Sequence, residues 1–304
     1  MKHLFIVNPT AGGKDKTDYV RECAKEALKD SADEYEVYVT KAPLDATRKI
    51  REEAKLCDRL HVYACGGDGT FNECVCGAAL LDNVAVAPFP IGTGNDFCRM
   101  FGDESELYRD LNALTQGSEH PIDIIDCNGR YSVNICCVGI DARVGADVHK
   151  YSGIPLIGGA TGYVVSVLVH IFKGISRKMK ISCGEYYKDD EMALVCACNG
   201  RFYGGGFNPS LNARPDDGIL DIYIIKKIGL ITLARLIGKY ASGRADELPE
   251  YVTHLRSDNI CIEFEDDEVV NFDGEVMYTK KADMKLIPKA LKLIVPKGMK
   301  FFEN

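Results

Sequence analysis

Long apolar runs, metal-type histidine spacings and excess positive charge are all scarce in this chain of 304 residues. No stretch reaches the roughly 18 to 20 apolar residues that cross a bilayer, and the longest, Tyr163 to Phe172, is broken by Ser166 and His170. Met1-Lys2-His3 runs straight into a strand signal without the apolar core of a signal peptide, so the chain reads most simply as cytoplasmic. The six histidines are scattered, with no H-E-x-x-H spacing, which gives a catalytic zinc little support. The 13 cysteines form no C-x-x-C pair and sit mostly in apolar runs, as buried thiols in a reducing compartment do. Cys74 and Cys76, on the helix after a glycine loop, read as packing thiols. A net charge of −8 argues against nucleic acid as a partner, because a phosphate backbone selects a basic surface. There is no repeat, no low-complexity segment, no G-x-x-x-x-G-K-[ST] loop and no G-x-G-x-x-G opening a first βαβ unit.

What the chain does have is glycine placed after strands. Gly66-Gly67-Asp68-Gly69-Thr70 follows the apolar run Leu60 to Cys65, and Pro90-Ile91-Gly92-Thr93-Gly94-Asn95-Asp96-Phe97 follows the next such run. A plausible helix covers Phe71 to Leu81, so the first set of glycines lies where a strand hands over to a helix N-terminus. Backbone N–H groups there can hold phosphate, and glycine permits close approach and φ > 0. Asn8-Pro9-Thr10-Ala11-Gly12-Gly13-Lys14 has the same character. Asp68 and Asp96 sit inside glycine loops where a carboxylate would repel phosphate, and a Mg²⁺ ion between the two resolves that conflict.

The first 124 residues alternate strand (His3 to Val7, Glu36 to Thr40) and helix (Thr17 to Lys29, Ala46 to Lys55), which implies a parallel sheet covered by helices. Ligands of such sheets bind at the strand ends. From about Asp126 the texture becomes short β-rich runs: Tyr131 to Val138, Met192 to Cys198, Leu220 to Ile225, Asn259 to Phe264 and Leu291 to Val295. Helices are expected at Gly162 to Phe172 and Leu230 to Ala241. The expected division is an α/β domain over residues 1–124, a β-sandwich over 125–296, and a tail, 297–304, that returns to the first domain.

An ordered series of motifs carries a resemblance. Asn8-Pro9-x-x-Gly12, Gly66-Gly67-Asp68-Gly69-Thr70 with Asn72-Glu73, and Pro90-x-Gly92-Thr93-x-Asn95-Asp96-Phe97 are followed by Asn134-x-x-x-x-Gly139-x-Asp141-Ala142 and Asn199-Gly200-x-x-Tyr203-Gly204-Gly205-Gly206. Asp216-Asp217-Gly218-x-Leu220-Asp221 and Asp273-Gly274-Glu275 complete it. The chain resembles the diacylglycerol kinase catalytic-domain family, which includes soluble bacterial diacylglycerol kinases, sphingosine kinases and ceramide kinases, along almost its whole length.

The resemblance implies a fold of α/β plus β: a nucleotide-binding domain like those of NAD kinase and phosphofructokinase, then a β-sandwich that receives a lipid. It implies ATP and Mg²⁺ as cofactors. ATP would contact Asn8, Pro9, Thr10, Ala11, Gly12, Thr40, Gly66, Gly67, Asp68, Gly69, Thr70, Phe71, Asn72, Thr93 and Asn95. Asp68, Asp96 and Asp123 are similar to the carboxylates that hold catalytic Mg²⁺ through water. A separate structural cation is implied at Asp217 with the main-chain oxygens of Arg214 and Ile219. Asp273-Gly274-Glu275 matches the catalytic-base motif, and either Asp273 or Glu275 could accept the proton of the lipid hydroxyl. Cys98 and Gly94 depart from the pattern without removing a ligand or a base.

The implied activity is transfer of the γ-phosphate of ATP to a lipid hydroxyl, diacylglycerol first, at the inner face of a membrane that the enzyme touches peripherally. Between Asp246 and Glu275 there are 11 acidic residues against Arg256 alone, and from Val276 to Asn304 seven lysines against Asp283 and Glu303. That lysine segment is either a solvated face or a contact for anionic membrane. A homodimer stays open. The rival readings are an NAD kinase-like enzyme, and a catalytically silent nucleotide- or lipid-binding regulator.

Overall fold

A computed structural model describes residues 1–92, 95–152 and 174–303, without the side chains of 147–152, 230 and 234. Thr93, Gly94 and the helix expected at Gly162 to Phe172 lie outside the described residues. The chain forms two compact units, residues 1–124 with 287–304, and residues 125–286. The return to the first unit thus begins at Ile287, upstream of the tail expected from the sequence.

In the first unit strand and helix alternate through β1 (Lys2–Val7), α1 (Thr17–Ala27), β2 (Glu34–Val39), α2 (Asp45–Glu53), β3 (Leu60–Gly66), α3 (Asp68–Ala78), β4 (Val84–Pro90), α4 (Asp96–Arg99) and α5 (Leu111–Thr115). β5 (Ser118–Cys127) leaves the unit, and β13 (Glu275–Val295) re-enters it. The strand order is β2-β1-β3-β4-β13, all parallel, with Lys292 opposite Ala85 in the last pair. Every residue of β3 and β4 is buried, as inner strands covered on both faces require. α1 turns Thr17, Val20 and Ala24 inward at helical spacing, and α2 does the same with Ala46, Ile50 and the paired Glu53.

α3 starts three residues before the helix expected from Phe71. Gly67 is extended (φ −109°, ψ −165°) and Asp68 is already helical, so Asp68, Gly69 and Thr70 form a first turn rather than a loop. Leu80 takes a left-handed φ of 64° just past the helix end and donates its N–H to Ala290 O (2.9 Å).

The second unit contains β6 (Arg130–Ser132), β7 (Ile135–Gly139), α6 (Ile140–Ser152), β8 (Arg177–Cys183), β9 (Tyr186–Cys198), β10 (Leu220–Lys226), α7 (Leu230–Tyr240), β11 (Val252–Ser257) and β12 (Asn259–Phe272). Its pairs are antiparallel: β11-β10-β9-β7-β12, with β8 between β9 and β12, and β12 against β13. Side chains alternate between two cores. Cys136, Val138, Val195, Ala197, Ile222 and Ile224 join Ile181, Ile262 and Met284 inside the sandwich. Cys137, Leu194, Cys196, Tyr223 and Ile225 instead join Ala142, Leu236 and Tyr240 from α6 and α7. The run expected as one strand from Tyr131 to Val138 is two, because Val133 and Asn134 leave the ladder. Nine of the 13 cysteines are buried and all are free thiols.

No helix among the described residues is long and apolar enough to cross a membrane. Of the five lysines of β13, Lys281 lies 4.0 Å from Glu263, Lys285 3.1 Å from Asp283, and Lys292 reaches the carbonyl of Asp82.

Candidate active-site elements of the two units

In the first unit three strand-end loops interlock. Asn8 ends β1, and its Oδ1 accepts from Thr10 N (3.0 Å) and Thr10 Oγ1 (2.8 Å). Its Nδ2 donates to Thr70 Oγ1 (3.3 Å), which joins the Asn8–Gly12 loop to the first turn of α3. Thr40 closes the end of β2, donating through both N and Oγ1 to Val7 O (2.9 and 3.3 Å). Ile91 N and Gly92 N both donate to Gly66 O. Lys16 Nζ donates to Ile91 O (2.6 Å), so the first loop also grips the third.

The glycines are needed mainly for this interlocking. A Cβ on Gly92 would lie 3.1 Å from Gly67 N, and one on Gly66 would fall 2.2 Å from Thr70 Oγ1. Among the described glycines of these three loops, Gly12 alone combines a close approach, 3.0 Å from Ile91 O, with a left-handed φ of 69°. The positive φ expected of the glycine turns is therefore met in the first loop, while the second works through contact distance.

Asp68 binds the second loop to the third. Its Oδ2 accepts from Asn95 N and its Oδ1 from Asp96 N, both at 2.7 Å, so one carboxylate takes two amides at the start of α4. Asn95 is left-handed (φ 61°), with Nδ2 on Gly92 O at 3.3 Å. Asp96 is buried in the first turn of α4 and paired with Arg99 Nε (3.0 Å). Phe71 packs on Phe97 (5.0 Å between centroids), and Phe97 on Phe101, so the side chain of Phe71 faces the core. Its contribution to a nucleotide is thereby limited to main chain. Asn72 is also buried, accepting from Cys76 Sγ at 3.7 Å. Asp123, on β5, is 1% exposed and accepts from Lys289 N (2.8 Å).

Among the described residues no group of three His, Cys, Asp or Glu side chains is placed to hold a metal ion. Asp68, Asp96 and Asp123 are therefore not a ready-made cage. Their all-oxygen chemistry fits a hard cation held through water, since direct coordination by Asp68 would compete with its two amide bonds. The extended Gly67 and the amides of the adjoining turn suit phosphate.

In the second unit the Asp273-Gly274-Glu275 turn joins β12 to β13. Asp273 has a left-handed φ of 52°, and its carboxylate accepts from Val133 N (2.7 Å), Asn134 N (3.2 Å) and Ile135 N (2.9 Å). This explains why Val133 and Asn134 leave the ladder. Burial pushes the Asp273 carboxyl above the usual carboxylate range, against the downward pull of those hydrogen bonds. Asn199 buttresses the arrangement, with Nδ2 on Val133 O (2.7 Å) and N on Asn134 O (2.9 Å). Glu275, two residues on, is exposed. The structure thus separates the two carboxylates that the motif left equivalent.

The Asp217 loop is closed by protein groups. Asp217 Oδ1 accepts from Ile219 N (3.2 Å), and its Oδ2 pairs with an Arg256 terminal nitrogen (3.1 Å). Arg256 Nε also lies 3.5 Å from Asp221, while Arg214 pairs with Asp216 at 3.0 Å. A cation on Asp217 and the carbonyls of Arg214 and Ile219 would have to displace Arg256. Elsewhere in the unit Tyr203 OH donates to Asp141 and lies 3.1 Å from Tyr240 OH. Burial raises the Asp141 carboxyl.

The sequence reading missed Lys16, Arg99 and the Lys289 amide. A single lysine or arginine has no spacing signature, and an amide partner from far along the chain has none at all. The acid three residues before Arg99 was the one local signal.

Residues 2–127 match the model of the diacylglycerol kinase catalytic domain, and residues 134–295 that of the YegS C-terminal NAD kinase beta sandwich-like domain. A Shewanella frigidimarina protein named "Probable lipid kinase YegS-like" is 28% identical over 89% of this chain and 87% of its own length. A Pseudomonas aeruginosa protein of the same name is 28% identical over 98% of this chain and 95% of its own. The crystal structure of a diacylglycerol kinase from Bacillus anthracis str. Sterne superposes with a TM-score of 0.70 at 26% identity, covering 98% of both chains.

Proposed function

Since this chain belongs to the diacylglycerol kinase catalytic-domain family and is a lipid kinase, we propose that it moves the γ-phosphate of ATP to the hydroxyl of diacylglycerol, giving phosphatidic acid. Diacylglycerol is favoured by the name of the Bacillus anthracis relative and of the family model. The observation that carries the reading is the exposed Glu275 carboxylate on a turn held rigid by Asp273.

In this reading the Asn8–Gly12 loop, Thr40 and the Gly66–Asn72 turn, with Thr93 and Asn95, hold the nucleotide through main-chain N–H groups and short polar side chains. Asp68, Asp96 and Asp123 would hold Mg²⁺ through water; bound there, the ion supplies positive charge for phosphate oxygens. Asp68 also keeps the two loops in register, so it acts as a positioning residue as well. Glu275 accepts the proton from the attacking lipid hydroxyl, a role that needs an accessible carboxylate. Asp273 is unsuited to it: its oxygens are taken by three amides, and moving them would unlock the turn.

The test is transfer of labelled γ-phosphate from ATP with Mg²⁺ in mixed micelles onto diacylglycerol, monoacylglycerol, sphingosine, undecaprenol and phosphatidylglycerol, with NAD as a control acceptor. Labelled phosphatidic acid is expected. Label on another lipid would overturn the substrate while leaving the base; label on NAD alone would favour the NAD kinase-like reading, and ATP binding without product the silent regulator.

A further inference from the structure

Resting on the lipid-kinase reading, we propose that α7 and the segments flanking it form the surface that docks this enzyme on anionic bilayers. Residues 222–244 contain five basic residues and no Asp or Glu, in a chain whose net charge is −8. Within that stretch α7 is amphipathic in an unusual sense. Leu236 and Tyr240 are buried in the core shared with α6, while Ile231 on the opposite side is 74% exposed and Ile237 on the flank 39%. Arg235, one turn after Ile231, shares its outward face and has no hydrogen bond or ion pair among the described residues.

The charges around the helix are distributed as an anionic surface would select. Lys227 and Lys239 pair with Glu191 and Glu247, but Lys226 and Arg244 reach only a carbonyl and a hydroxyl, the Glu250 O and Ser242 Oγ. Asp246, in the following turn, lies 3.5 Å from His254 Nδ1. Lys226 and Arg235 are thus left without a carboxylate near exposed isoleucines, while Arg244 shares Glu247 with Lys239, a composition by which a helix lies in a headgroup region. On β13 Lys281 and Lys285 stand beside Glu263 and Asp283, while Lys280 and Lys292 reach only the carbonyls of Glu265 and Asp82. Both stretches carry cations without a carboxylate, but only the one on α7 sets them beside exposed aliphatic side chains, Ile231 and Ile237, so the occupant is a bilayer carrying acidic lipids.

The experiment is sedimentation of the full chain with vesicles of phosphatidylcholine alone, or with about 30 mol% phosphatidylglycerol, at low and high salt. The proteins compared are the wild type, the double variant Ile231→Asp/Arg235→Glu, and Lys280→Glu on β13 as a control. The wild type is expected to bind the acidic vesicles only, and less at high salt. The double variant should bind about tenfold less, Lys280→Glu within about twofold of wild type, and all three should phosphorylate lipid equally in detergent micelles. Equal vesicle binding by the double variant would overturn the proposal, as would a wild type that phosphorylates lipid but ignores acidic vesicles. Self-association of the wild type without vesicles, lost in the double variant, would overturn it in favour of a second copy of this chain. Failure of the kinase reading would show separately, as absent lipid product in the micelle assay.

Discussion

At the residue scale, two carboxylates in one tripeptide have been given opposite work. Asp273 spends its oxygens on Val133, Asn134 and Ile135, whereas Glu275 is exposed. Glu275→Gln is expected to lower kcat by about 10²-fold or more with the KM for ATP changed less than about threefold, and to leave the unfolding midpoint in place. Asp273→Asn places an amide donor against amide donors; it should cost about 2 kcal/mol of stability, read as a shift in urea midpoint. If Asp273→Asn lost turnover at unchanged stability, the assignment of the base would be reversed. Asp68 obeys the same logic in the first unit, because it closes the start of α4. Asp68→Asn should therefore abolish turnover and also speed amide exchange at Asn95 and Asp96, whereas a residue serving only a metal would leave that exchange unchanged.

At the scale of elements, the sequence was legible wherever a feature is local. Buried runs such as Leu60 to Gly66 and the glycine-rich turns are visible as composition and order, and so the loops and the parallel alternation could be read directly. The onset of α3 was not, because the helical state of Asp68 is set by its bonds to Asn95 and Asp96, on another loop. The break between β6 and β7 has the same origin, its cause lying on Asp273. Loop interlocking makes Gly92→Ala informative: its Cβ would press on the Gly67 backbone at 3.1 Å, so ATP affinity should fall while the sandwich keeps its exchange protection. The Asp217 loop gives a complementary case. With Arg256 in place, chelators should leave stability unchanged; Arg256→Ala should lower the melting temperature and make it rise again with added Mg²⁺ or Ca²⁺, since Asp217 then lacks its cation. A wild type destabilised by chelator would show that a metal, not Arg256, closes the loop.

At the scale of the whole molecule, the return of β13 to the first unit was illegible because its evidence is a pairing of Lys292 with Ala85, across most of the chain. Its consequence is two units that each keep a core, with titratable groups shifted in opposite directions. In the first, burial holds His3 below its ordinary pKa, with Nδ1 on Tyr63 OH at 2.8 Å. Burial, helped by the charges of His3 and Arg59, pushes His61 down to about 4; Glu119, bound by Arg59, accepts from its Nε2. Below the unfolded value near 6.5, the unfolded chain takes up protons that these histidines refuse, so the first unit loses stability as pH falls from about 6.5 towards 4. In the second unit burial raises the carboxyls of Asp141 and Asp273. That contribution has the other sign: it is fully present below the unfolded value and lost as pH rises through the folded one, so acid favours the second unit where it harms the first. Hydrogen exchange read by mass spectrometry at pH 7.5 and pH 5, corrected for intrinsic rates, should then show peptides of β1 and β3 losing protection while those of β7 and β9 hold theirs. His61→Gln should flatten the loss in the first unit. Equal loss in both units at pH 5, or an unchanged pH slope in His61→Gln, would mean that the buried histidines do not govern the acid limb.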